Sequence, residues 1–194
     1  VGGMLPPAPV WVDAQRGQLD WLAMLRPWML PLWLTGVLVC SLRLVLAGMH
    51  TVVLRRRCAL EQGPISAIVS KLAARMGVKR SISIRVAPTA MSPATFGLVR
   101  PVILLSSATV LGMSPQQLEA VLAHELAHIR RHDYLVNVLQ MLAETLFFYH
   151  PAIWWASRRI RVERELCCDD AAVEACGDAL CYAHALTSVA QQQI

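Results

Sequence analysis

His124, Glu125 and His128 belong to the run His-Glu-Leu-Ala-His, an HExxH motif. Four residues make about 1.1 helical turns, so on a helix both imidazoles leave one face about 6 Å of rise apart and can ligate a single Zn²⁺. Glu125, beside them, can take a proton from a water activated at that ion, which is the chemistry of a zinc peptidase. The bland alternative is a helix carrying two half-buried histidines. Its neighbours argue against that: Val121, Leu122, Leu126 and Ile129 recur at helical spacing and would seat the helix in a core.

Catalysis by zinc needs a third protein ligand and an open position. The pattern His-x-x-Gly-x-x-His is excluded, because Arg131 and Tyr134 occupy the glycine and second histidine places. His132 lies one turn beyond His128, but three histidines in a straight helical row cannot converge on one tetrahedral ion. Glu165, in the run Glu163-Arg-Glu-Leu-Cys-Cys-Asp169-Asp170, is the better candidate, carried by a second helix that closes on the ion from across the site. Asp169, one turn later, can accept a hydrogen bond from a ligating histidine and fix its tautomer. The alternative for these acids is pairing with Arg161 and Arg164.

Several elements must position these residues. Ser114-Pro115-Gln116-Gln117 combines an N-cap serine, proline at the first helical position and glutamine three residues after the cap, so the metal helix starts there. Before it, Gly63-Pro64 opens an amphipathic helix over Ile65, Ile68, Val69, Leu72 and Met76 that Gly77 closes. Ile82, Ile84 and Val86 alternate as a half-buried strand ended by Pro88, a second strand lies around Phe96, and a third runs over residues 102–105 after a turn near Val99-Arg100-Pro101. A small antiparallel sheet is expected, whose 95–105 hairpin offers an edge to an extended peptide. After the metal helix, Asn137, Gln140 and Glu144 recur at helical spacing in an apolar stretch, giving an amphipathic helix packed on the domain or lying in a membrane interface rather than a second span. A further helix is expected from Pro151 to Ala175, stopped by Gly177, with Arg158, Arg159, Arg161 and Arg164 on its exposed faces.

Composition adds a membrane. The chain has 194 residues, 56% hydrophobic and only 16% charged, with a mean hydropathy of +0.47, against roughly 25% charged in an average soluble domain. Residues 27–54 carry one formal charge, Arg43, and as a helix would rise about 42 Å, enough for a hydrocarbon core of about 30 Å. Trp28 and Trp33 stand near one end and Arg55-Arg56-Arg57 close the other, which orients everything after residue 57 toward the cytoplasm. The six cysteines follow no disulfide-scaffold spacing and read as reduced, structural thiols. The net charge of +5 suits an anionic membrane surface; no reader motif accompanies the arginines, so no direct contact with nucleic acid is expected.

In combination these residues resemble a known family. The HExxH run with His132-Asp133, then Phe147-Phe-Tyr-His-Pro151 with Trp154-Trp155, then Arg161-x-Glu-Arg-Glu165-x-x-Cys168-Asp169-Asp170, together with Thr95-Phe-Gly-Leu-Val-Arg-Pro-Val-Ile-Leu104, are similar to the membrane-bound peptidases typified by the BlaR and MecR β-lactam-sensing receptors. The resemblance covers about residues 25–190. It implies a gluzincin-like site with His124, His128 and Glu165 as zinc ligands, Glu125 as catalytic base and Asp169 behind them. It also implies a cytoplasmic peptidase domain set between membrane spans, activated by a signal sensed outside. The sequence departs from that pattern in carrying no span or sensor domain after the peptidase residues.

The expectation is therefore an α+β, gluzincin-like zinc metallopeptidase domain over residues 55–194, interrupted at its C-terminus. It follows a membrane helix over 27–54 and an extracytoplasmic loop or linker over 1–26. The expected function is regulatory hydrolysis of a cytoplasmic protein, a repressor-like target or the chain itself, at the inner membrane. The alternative is a signalling module that binds zinc without cutting and recruits a cytoplasmic partner. No residue is fixed as the oxyanion donor; Tyr182, His184 and Arg161 are the candidates.

Overall fold

A computed structural model describes residues 10–61, 63–87, 92–98 and 100–191. The strand stop at Pro88, the Val99 position of the expected turn and residues 1–9 of the expected loop lie outside them. The chain divides into two compact units, Val1–Arg43 and Leu44–Ile194.

Helix α1 runs from Val10 to Arg57, so residues 10–26, expected as loop or linker, are helical. Its interior prolines Pro27 and Pro31 each remove one backbone donor, and the Thr35 hydroxyl donates to the Pro31 carbonyl at 2.7 Å. Within α1, Met24–Met49 form a 26-residue stretch of mean hydropathy 1.9. Among the described residues it is the one helix long and apolar enough to cross a bilayer.

The second unit is α+β. Strand β1 (Ala59–Glu61) precedes α2 (Pro64–Arg75), β2 (Ser83–Ala87), β3 (Ala94–Phe96) and β4 (Val102–Ser106). Five helices follow: α3 (Ser107–Gly112), α4 (Pro115–Arg131), α5 (Asp133–Leu146), α6 (Pro151–Cys176) and α7 (Ala179–Gln191). The sheet order is β1-β2-β4-β3. The expected hairpin is present, with β3 antiparallel to β4 and Thr95 opposite Ile103. The sheet is mixed rather than antiparallel, because β4 returns between β2 and β3 and runs parallel to β2. Its five consecutive residues are all buried, as in a strand covered on both faces.

Alternation splits β4 between two cores. Ile103 and Leu105 join Ile84 and the helices, whereas Leu104 packs with Cys58, Ala87 and Phe96 on the opposite face. The larger core is centred on α4. There Ala120, Ala123 and Ala127 let neighbouring elements approach closely, while Leu122 and Leu126 fill the space, all five at 0% exposure. The capping box forms as the sequence predicts: the Gln117 N–H donates to Ser114 Oγ at 3.3 Å and the Ser114 N–H to Gln117 Oε1 at 2.9 Å. Such a cap stabilises by about 1 kcal/mol.

Gly77 and Gly177 end α2 and α6 at φ +72° and +76°, as their places in the sequence predict. Helix α4 stops differently. His132 takes φ 61° and is at once the C-cap of α4 and the N-cap of α5. The stretch after the metal helix is thus two elements, α5 and α6, separated by a turn at residues 147–150. Fourteen residues of α5 rise only about 21 Å, short of a span. Of the four arginines expected on exposed faces of α6, Arg161 and Arg164 turn inward: Arg161 donates to Glu144 Oε1 at 2.7 Å and Arg164 to the Asp133 carbonyl at 3.2 Å.

Candidate metal centre

Helix α4 brings His124 and His128 together as the four-residue spacing requires, with their Nε2 atoms 3.2 Å apart. Glu165 reaches across from α6, placing Oε2 3.5 Å from His124 Nε2 and 3.8 Å from His128 Nε2.

The protonation of both rings follows from what lies behind them. His128 Nδ1 sits 2.8 Å from Asp133 Oδ2. A carboxylate only accepts, so this nitrogen is the donor, and in the neutral ring Nε2 presents a lone pair. His124 Nδ1 lies 2.9 Å from the Tyr182 hydroxyl and 3.0 Å from Asp169 Oδ1. Tyr182 spends its one proton on Asp169 Oδ1 at 2.5 Å, so again Nδ1 is the donor. Two imidazole lone pairs and a carboxylate oxygen therefore converge with no donor between them. With both rings neutral these groups repel one another, and a cation between them would relieve that repulsion. The two-nitrogen, one-oxygen set fits a divalent ion of the zinc type.

Glu125 is 5% exposed, and its Oε2 accepts the Thr95 hydroxyl from β3 at 2.6 Å. Burial pushes its carboxyl above the ordinary range, while the Thr95 bond and the two imidazoles act in the opposite direction. Burial, reinforced by Asp169, also raises Tyr182, keeping it a neutral donor. Cys168 is pushed up by burial and by Asp133. It stays a thiol, 3.3 Å from His128 Nδ1, donating to Asp133 Oδ2 at 3.4 Å, which makes it part of the support behind His128 rather than a thiolate ligand.

His132 stands apart from the convergence. The Arg80 guanidinium contacts its Nε2, and since arginine has only donors, that lone pair is taken. Asp169, one turn beyond Glu165 on α6, lies behind His124. Asp133 behind His128 and Thr95 on Glu125 are placed by the structure without a sequence motif of their own. Asp133 falls five positions beyond His128, out of helical register, and only the break at His132 brings it round. Thr95 gives no local sign of facing α4. Tyr182, offered as an oxyanion donor, stands behind His124 instead. Neither it nor His184 nor Arg161 lines the cleft in front of the histidines, a space of about 330 Å³ walled by residues 93–98 of the β3 segment, His124, Glu125 and His128 of α4, Tyr134 and Asn137 of α5, and Arg164 and Glu165 of α6.

A helix bearing HExxH, a carboxylate closing from a second helix and an edge strand beside them define a metallopeptidase-type protein. The chain belongs to the BlaR1 peptidase M56 family, which it matches over residues 12–193. It is 34% identical over 87 residues to the regulatory protein BlaR1 of Bacillus licheniformis, covering 45% of this chain and 14% of that one. It is 26% identical over 139 residues to the methicillin resistance mecR1 protein of Staphylococcus aureus, covering 71% and 24%. To BlaR1 of Staphylococcus aureus it is 22% identical over 135 residues, covering 70% and 23%. The matches thus span less than a quarter of these relatives' own lengths.

Proposed function

We propose that this chain is the catalytic part of a membrane-anchored, zinc-dependent endopeptidase that cuts a cytoplasmic protein in a regulatory pathway. The observation that carries the reading is the convergence of three lone-pair donors, His124 Nε2, His128 Nε2 and Glu165 Oε2, next to the buried carboxyl of Glu125. The Arg55-Arg56-Arg57 triplet after the apolar stretch supports a cytoplasmic position for the second unit. The relatives' names, a regulatory protein and a methicillin-resistance protein, support a role in signalling.

Zinc held by His124, His128 and Glu165 would supply the Lewis acid that makes a water nucleophilic near neutral pH and polarises a carbonyl. Glu125 takes the proton from the attacking water and returns it to the leaving amine. Thr95 keeps the carboxylate from swinging away. Asp133 and Asp169 hold the two rings in the tautomer whose Nε2 is free. The outer edge of β3 offers main-chain groups to an extended peptide, which would lie across the cleft toward Glu125. Tyr134, Asn137 and Arg164 are among the donors lining that cleft and are candidates for a developing oxyanion.

The test replaces Glu125 with Ala or Gln. Zinc bound per chain stays near that of the wild type while hydrolysis of a quenched-fluorescence peptide library disappears. Retained turnover in either variant would sink the catalytic reading. Bound zinc without turnover in the wild type would favour the non-cutting signalling module.

A further inference from the structure

Helix α5 is built inside out. At 3.6 residues per turn, Asp133, Asn137, Gln140 and Glu144 share one face, and that polar face is turned toward the protein. Asp133 and Gln140 are 5% and 7% exposed. Gln140 donates to the Ser157 carbonyl at 3.0 Å, and Glu144 accepts from Arg161 at 2.7 Å. The opposite face carries Leu135, Val138, Leu139 and Leu142, which are 38–57% exposed. A surface helix of a water-soluble domain has the reverse arrangement.

The same chain continues through the turn into the first residues of α6, a segment rich in exposed aromatics, with Phe147, Tyr149, Trp154 and Trp155 at 45%, 60%, 46% and 73%. Exposed arginines stand at both ends of this stretch, Arg130 and Arg131 before α5 and Arg158 after the turn. An outward apolar stripe flanked by aromatic and basic residues is the composition of a helix lying in a lipid headgroup region. The occupant is also on hand, because the chain carries its own apolar stretch, Met24–Met49, with no part of it buried in protein.

We propose that the outer face of α5 and the aromatic turn after it lie in the surface of a bilayer, with the helix along the membrane and its polar face toward the peptidase core. Since Tyr134 and Asn137 belong to the cleft as well as to α5, such docking places the mouth of the cleft at the membrane surface. It favours polypeptide segments held close to the lipid. The docking does not depend on hydrolysis, so its test is separate from that of the catalytic reading.

The test uses the full chain reconstituted in phosphatidylcholine–phosphatidylglycerol vesicles. Trp11, Trp21, Trp28 and Trp33 are replaced by Phe, leaving Trp154 and Trp155 as reporters. Acyl-chain-brominated lipid should remove most of their emission while aqueous iodide removes little. Strong iodide quenching without bromolipid quenching would place the turn in water and overturn the proposal. Shielding from both quenchers would mean a protein partner, such as a second copy, and would overturn it too. The complementary variant, Trp154→Phe with Trp155→Phe, gives the same contribution by difference from the wild type if the four replacements disturb folding.

Discussion

The hydroxyl of Thr95 donates to Oε2 of Glu125 at 2.6 Å, across thirty positions of sequence. It joins the edge strand β3 to the acid of the HExxH helix. The strand suited to hold a substrate backbone and the group suited to move the proton are thereby placed as one unit.

Thr95→Val removes that link and keeps the side-chain volume. A hydrogen bond to a charged group contributes about 1.5 kcal/mol or more, so kcat should fall about tenfold, with zinc content unchanged and Thr95→Ser close to wild type. The bond lowers the Glu125 carboxyl against the upward push of burial. Without it the carboxyl titrates higher, and since the base must be ionised, the acid limb of the pH–rate profile should move to higher pH. An unmoved limb would show that Thr95 does not act on Glu125.

Zinc content separates the candidate ligands. Wild-type protein in detergent should bind one zinc per chain. Glu165→Ala should bind markedly less at limiting metal, whereas His132→Ala, whose ring is engaged by Arg80, should match wild type. Equal loss in both variants would return the third ligand to an open question.

Asp133→Asn tests the support behind His128. Loss of a partner that orients a ligating histidine costs about 10–100-fold in metal affinity, and competition with a chromophoric chelator reads it directly. Asp169→Asn should behave alike through His124. Tyr182→Phe should be milder, because Asp169 still faces Nδ1 at 3.0 Å. Wild-type affinity in Asp133→Asn would make that contact structural only.

Much of this site was legible in the sequence because its signals are local. The HExxH spacing, the Ser114–Gln117 cap and the αL glycines each follow from residues within one or two turns. What escaped was set by tertiary placement. Strand β1 has three residues and no alternation to display, and the parallel pairing of β2 with β4 depends on the path between them. The polar stripe of α5 was visible, but its direction was not. Periodicity reports that two faces differ, and packing against α6 decides which one meets the core. Helix α7 had one cue, Asp178 after Gly177, whose Oδ1 accepts from the N–H groups of Leu180 and Cys181 at 2.9 and 3.1 Å.

Gly97→Ala should destabilise the hairpin that carries Thr95. Gly97 has φ +97°, and a Cβ there would come within 2.7 Å of the Arg100 carbonyl oxygen. Strain and clash together should cost more than the roughly 1 kcal/mol of an ordinary mismatched glycine site. Gly77→Ala, at φ +72° with nothing within 4 Å, supplies the comparison and should lose less in thermal unfolding. Equal losses would mean that the β3–β4 turn relaxes freely.

The left-handed residue His132 has a consequence for the order in which the centre is assembled. In an unbroken helix Asp133 would point about 140° away from His128; the break folds it back, so this imidazole is oriented by a partner five residues away. The other imidazole is oriented by Asp169 and Tyr182, 45 and 58 residues downstream of His124. One half of the centre is therefore low in contact order and can be in place as soon as α4 and α5 have emerged during synthesis. The other half waits for α6 and α7, so the nascent chain holds a half-built cradle until those two helices dock.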